Sequence, residues 1–236
     1  MLVNNDGGLA IPPAVDPNFK WDPMKDYAPV AQVGEFTWAV LVNSQLPVTS
    51  MKELIAYARE HPGALNYGTP GTGTLPHMAT EMFAKQIGAR MTHVPYKGAA
   101  PALSDLIAGV LSLNIQSIPT VLGQASSDRL RMLAVLSGER VKAFPNVPTM
   151  QESGVDGFVM SSWNGVFAPP NLPAPIRDKL TNALAEAMKT PAVQEKFRAL
   201  SLDPVATDAA AFAKRYYAEV AKWKAFAADS NIRIAQ

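Results

Sequence analysis

The chain has 236 residues, 48% hydrophobic and 17% charged, enough to bury a sizeable core and too apolar to stay disordered. Its 21 basic and 20 acidic residues leave a net charge of +1, which gives no electrostatic reason to expect nucleic acid or an anionic membrane as partner. No cysteine is present, so disulfides and thiolate chemistry are excluded and neither redox compartment is favoured. No apolar run reaches the roughly 18 residues that span a bilayer. The longest candidate, Val30 to Val42, is interrupted by Gln32 and Glu35.

Helix and strand signals then alternate along the chain. Met1-Leu2-Val3 reads as the end of a buried strand, with no basic-then-apolar leader pattern around it, and suggests a missing upstream segment. The polar run Asn4-Asn5-Asp6-Gly7-Gly8 follows as a strand-to-loop junction. Ser50-Met51-Lys52-Glu53 is a capping box, and Leu54, Ile55 and Ala58 continue a helix that Gly63 stops. Leu65 to Tyr67 reads as a short strand. Thr74 is positioned to cap the next helix, whose stripe of Leu75, Met78, Ala79, Met82, Phe83 and Ile87 ends at Gly88. Met91 to Val94 is a strand, and a third helix runs from about Ala99 to Ile107. Leu111, Leu113 and Ile115 alternate with polar residues at the period of a strand; Gln116, Ser117 and Pro119 form the junction after it. Leu130 to Leu136 is a more continuous strand. Thr149 and Glu152 suggest a short capped helix, and Phe158 to Phe167 is strand-like. From Pro173 the pattern is helical only, ending in a long helix that Asp208 opens, with Phe212, Tyr216, Val220, Trp223 and Ala227 inward. Strands separated by helices imply an α/β fold with parallel βαβ units.

The most informative stretch is Asn66-Tyr67-Gly68-Thr69-Pro70-Gly71-Thr72-Gly73-Thr74-Leu75-Pro76-His77. It is a glycine- and hydroxyl-rich turn leading into an amphipathic helix, at the strand end where α/β sheets bind ligands. Unpaired N–H groups at such a helix start form a seat for an anion. The nucleotide patterns fail here: Thr74 stands where a P-loop needs lysine, and Pro76 where a dinucleotide fingerprint needs its third glycine. Thr69, Gly71, Thr72, Gly73 and Thr74 are therefore candidate ligand contacts, beside the bland alternative of a structural turn. His77 near the helix start is placed to bond the loop or the ligand. His77 and Glu81, four apart, could supply half a metal site, but His61 and His93 lack spaced partners, so no metal is expected. Asn5, Gln116 and Ser117 lie at two further polar strand ends. Trp163, in Ser161-Ser162-Trp163-Asn164-Gly165, is either core or cleft wall. No nucleophile elbow and no base with an orienting acid is visible. The leading reading is a binding protein for a small anion.

Taken with His93-Val94-Pro95-Tyr96-Lys97-Gly98, Ala102-Leu103-Ser104-Asp105-Leu106, Phe144-Pro145-Asn146-Val147-Pro148-Thr149 and Ser161-Ser162-Trp163-Asn164-Gly165 with Ala168-Pro169, the glycine turn resembles the Bug-type solute-binding receptors of the tripartite tricarboxylate transporter family. The match runs in order over nearly all of the chain. The resemblance implies a two-lobed type II periplasmic binding protein. Each lobe would be an α/β sandwich, and two crossing strands would form the hinge. Residues 38–159 would form lobe 2; residues 1–37 and 160–236 would form lobe 1, incomplete because the family's first-lobe ligand loop is absent. It further implies a small carboxylate ligand gripped by Thr69 through Thr74, membrane permease subunits as partners, a monomer, a periplasmic location and no cofactor. Neutral Gln116 stands where an acidic residue is usual, which bears on ligand choice. The alternatives are an enzyme, a hydrolase or isomerase acting on a small carboxylate, and a sensor domain of similar fold.

Overall fold

In the computed structural model, which describes residues 1–124 and 127–233, the chain divides into two compact units. Unit 1 comprises Met1–Phe36 and Ser162–Gln236; unit 2 comprises Thr37–Ser161. In chain order the strands are β1 (Leu2–Asn5), β2 (Ala28–Asn43), β3 (Asn66–Thr69), β4 (Thr92–Pro95), β5 (Leu113–Ser117), β6 (Leu130–Val135), β7 (Ser161–Ala168) and β8 (Asp203–Pro204). The helices are α1 (Asp6–Leu9), α2 (Pro12–Val15), α3 (Met51–Glu60), α4 (Leu75–Ile87), α5 (Ala99–Ala108), α6 (Ile118–Val121), α7 (Ala174–Lys189), α8 (Pro191–Ala199) and α9 (Ala209–Ser230).

In unit 1, β1 runs antiparallel to β7, from Leu2 opposite Phe167 to Asn5 opposite Asn164, and Leu2 and Val3 are exposed rather than buried as expected. The first half of β2 pairs with β8 at Gly34–Pro204 and Glu35–Asp203. The polar run after β1 is not a plain loop: Asn5 caps the single turn α1 by accepting from Gly8 N at 3.1 Å. Asp208 opens α9 by accepting from Ala211 N at 2.7 Å, and the expected stripe from Phe212 to Ala227 is buried. That stripe meets β7 in an aromatic core. Trp163 packs edge-on against Phe212 (5.1 Å between centroids) and Tyr216 (5.8 Å). A Cβ on Gly165 would lie 2.1 Å from Phe212 Cζ, so the glycine of this motif makes room for a ring.

A polar network lies inside the same unit. Trp163 Nε1 donates to Glu219 Oε2 at 2.7 Å, and Arg215 bridges Glu35 at 3.1 Å. Asp6, fully buried, accepts from Gly7 N at 2.9 Å and from Ser162 Oγ at 2.7 Å. Burial, aided by the nearby Glu219 charge, pushes the Asp6 carboxyl up to about 7 despite these bonds.

In unit 2 the strand order is β6-β2-β5-β3-β4. The second half of β2 is antiparallel to β5 and β6, and β3 is parallel to both β4 and β5. Tyr67 pairs in register with His93 and Leu113, and Gly68 with Asn114. Since neighbours in a strand point to opposite faces, Tyr67, Thr69, His93, Leu113 and Ile115 share one face, and Gly68, Asn114 and Gln116 share the other. Helix α4 covers the first face, where His77 stacks on His93. Helix α5 covers the second, through Leu103 and Leu106 packed with Ala39, Leu41 and Leu111. Gly68 is required there: a Cβ would lie 2.3 Å from Leu111 Cδ1 and 3.4 Å from Ala102 Cβ.

Expectations at two junctions outside the glycine turn need correction in unit 2. Strand β5 begins at Leu113 rather than Leu111, because Ser112 N turns to Asn66 Oδ1 at 2.7 Å. Thr149 and Glu152 do form the reciprocal bonds of a capping box, at 2.8 and 3.0 Å, but no helix follows. Gly154, at φ +83°, ends the segment after one turn, and Thr149 bridges to Val135 instead.

Candidate functional site

The carboxyl ends of the parallel strands β3, β4 and β5 open onto one edge of unit 2. Three connections leave that edge: residues 70–74 into α4, residues 96–98 into α5, and Ser117 directly into α6. The first two are tied together, with Tyr96 N donating to Thr69 O at 2.9 Å and Gly98 N to Pro70 O at 3.2 Å.

Within residues 69–74 most polar groups bond one another. Thr69 Oγ1 contacts the Gly71 carbonyl at 3.1 Å and the Gly71 amide at 3.3 Å. Thr74 does not cap α4 as expected; its hydroxyl donates to Gly71 O at 2.8 Å, and its amide reaches the same carbonyl at 3.4 Å. Gly73, at φ +76° where a side chain would be strained, donates its N–H to His77 Nδ1 at 3.1 Å. Thr69, Gly71, Gly73 and Thr74 thus shape the loop. Among the described residues, nothing accepts from the amides of Thr72, Leu75 and His77, and the half-buried Thr72 hydroxyl has no partner. These orphan donors at the start of α4 are fewer than the sequence suggested, because the rest of the loop is satisfied internally. The start of α5 lies on the same edge, again without a side-chain cap.

Beneath the loop, three rings stack on the α4 face. His77 and His93 lie 4.0 Å apart and nearly parallel (22°), and Tyr67 lies 5.0 Å from His93. His93 Nε2 is 2.6 Å from Thr69 Oγ1, and the Tyr67 hydroxyl bonds Glu81. A backbone N–H can only donate, so His77 Nδ1 carries the lone pair and its proton sits on Nε2. Burial holds both imidazoles down at about 4; for His93 the neighbouring His77 adds to this and Glu81 opposes it. Both rings are therefore neutral near pH 7. Burial and Glu81 keep the Tyr67 phenol protonated.

The other sequence candidates are placed as follows. Gln116 is buried and its Nε2 donates to Ala99 O at 3.3 Å, beside the start of α5. Ser117 Oγ bonds Thr120 Oγ1 at 2.7 Å. These two share the edge with Thr72. Asn5 and Trp163 belong to unit 1, the first as the cap of α1 and the second, with no exposed surface, in the aromatic core. Two residues escaped the sequence reading. His93 supports Thr69 from 24 positions away, and only the parallel β3–β4 register reveals it. Asn114 is fully buried on the α5 face with neither amide atom bonded.

Comparison with known proteins adds the following. Protein BugT of Bordetella pertussis is 35% identical over 205 residues, covering 87% of this chain and 63% of BugT. The chain therefore spans a little under two thirds of that curated relative. The structure of Rpa4515 from R. palustris with adipate superposes with a TM-score of 0.87 at 32% identity, covering 98% of this chain and 77% of the other. MatC (Rpa3494) from Rhodopseudomonas palustris, with bound malate, gives 0.82 at 26% identity, covering 95% and 77%. Residues 1–232 match the description "Tripartite tricarboxylate transporter family receptor", and the chain belongs to that family, TctC.

Proposed function

We propose that this chain is the ligand-binding part of an extracytoplasmic receptor that captures a small carboxylate for a tripartite tricarboxylate transporter. The observation that carries the reading is the set of amides without a partner at Thr72, Leu75 and His77, beside a loop whose other groups bond one another. Adipate and malate in the related structures support a carboxylate of this size as ligand. The site residues are Thr72 and the start of α4 as donors. Thr69, Gly71, Gly73, Thr74 and His77 form the frame, with Gln116 and Ser117 alongside. Asn5 and Trp163 act indirectly, through the folding of unit 1. Permease subunits are the partners and the periplasm the location. The receptor performs no chemistry in this reading: His77 Nδ1 and His93 Nε2 both bond the loop.

Magnitudes limit the affinity. A hydrogen bond to a charged group contributes about 1.5–3 kcal/mol, so three amides give roughly 5–9 kcal/mol before the cost of association. Micromolar binding needs about 8 kcal/mol net. These donors alone then hold adipate in the millimolar range. Titration of labelled chain with adipate and malate at pH 7 tests this, with shifts expected at the Thr72, Leu75 and His77 amides. No shift there up to saturating ligand removes the site assignment, and turnover of either acid removes the receptor reading.

A further inference from the structure

We propose that the stacked His77–His93 pair is the positioning device of the anion loop, and that it holds the loop only while both rings are neutral. The inference rests on the carboxylate-receptor reading above and adds a regulation of that same seat. Each ring anchors one loop glycine. His77 accepts the Gly73 N–H directly at 3.1 Å, and His93 acts on Gly71 through Thr69 Oγ1, 2.6 Å from one and 3.1–3.3 Å from the other. Thr72, the donor that faces the ligand, is the residue between these two glycines.

A proton on His77 Nδ1 would set one N–H against another and release Gly73. A second cation 4.0 Å away on His93 would oppose it further. The ionisable groups around the pair are few. Glu81 on α4 is engaged by the Tyr67 hydroxyl from β3, and His93 itself comes from β4. Strand β5 faces α4 with apolar Leu113 and Ile115, and the segment after β6 with Phe158, against Phe83. The low proton affinity of both rings places the release on the acid side of neutrality.

The test is made on the full chain without ligand, by following the His77 ring nitrogens and the Gly73 amide by NMR from pH 7 to pH 3.5. The expected result is an Nε2–H tautomer at pH 7, and loss of Gly73 exchange protection by at least about tenfold at the midpoint of the His77 titration, while Leu113 and Ile115 amides stay protected. His77→Asn, whose Oδ1 can stand where Nδ1 does and does not titrate, keeps Gly73 protected across the range. His77→Phe loses the protection at pH 7 and weakens adipate about tenfold or more. If the Phe variant does not fold, the wild-type titration and the Asn variant decide. An Nδ1–H tautomer, a Gly73 amide blind to the ring titration, or simultaneous loss at Gly73 and in β5 overturns the proposal. If the wild-type chain fails to bind adipate, the receptor reading falls, while the ligand-free titration still judges the histidine pair.

Discussion

Asp6→Asn should stabilise the chain at neutral and alkaline pH and leave it unchanged in acid. Asp6 is fully buried in unit 1 with two donors, Gly7 N and Ser162 Oγ, and with Glu219 close enough to disfavour a second negative charge. Its carboxyl is raised from 3.8 to about 7. The folded state therefore prefers the protonated form. Folding takes up a proton between these two values, and stability is lost as pH rises from 3.8 toward 7. At about 1.4 kcal/mol per pH unit the loss amounts to about 4 kcal/mol, complete above the folded value. Asparagine has the shape of the protonated acid. Its Oδ1 accepts from Gly7, and its amide donates to the Ser162 hydroxyl, which can reverse. The substitution should then gain about 2–4 kcal/mol at pH 8, after allowance for relaxation around the charge, and about zero at pH 4. Paired urea titrations of the two proteins at several pH values measure the difference, in which titrating groups that do not interact with Asp6 cancel and Glu219 and Arg215 do not. A difference that does not change with pH, or a variant less stable at pH 8, refutes the burial argument.

Three further substitutions probe other parts of the structure. Gly165→Ala should cost about 1–3 kcal/mol, read from chemical denaturation, because its methyl would overlap the Phe212 ring; a neutral result would mean that ring moves freely. Asn114→Leu should be neutral or stabilising by about 1 kcal/mol, since both amide atoms are buried without partners; marked destabilisation would reveal a partner, such as an enclosed water. Thr72→Val should weaken adipate binding about tenfold at unchanged melting temperature, by removing the free hydroxyl; unchanged affinity in a protein that binds would move the seat elsewhere.

What could be read from sequence divides by range. Ser50 with Glu53, Asp208 before α9 and Gly88 after α4 are local devices, complete within four or five residues, and the structure contains each. The glycine turn was visible for the same reason. The bond from Gly73 to His77 was foreseeable too, since His77 sits four residues on; the Thr69–His93 contact was not, because strand register sets it. The long β2 also escaped: Gln32 and Glu35 break its apolar pattern, yet both are engaged by Arg215 from α9. Thr149 and Glu152 misled in the other direction. Their bonds form as the motif requires, but with nothing apolar to bury at helical spacing before Gly154, one turn is all the segment supports.

The shared direction of β3, β4 and β5 has an evolutionary corollary. On this edge the unpaired amides lie in a short connector and in the first turn of α4, whereas the strands and the faces of α4 and α5 carry the packing. Selection can rewrite an exposed connector position such as Lys97 while Tyr96 beside it stays packed on the core. Exchanging Lys97 alone should therefore alter the charge of this edge and leave the scaffold intact.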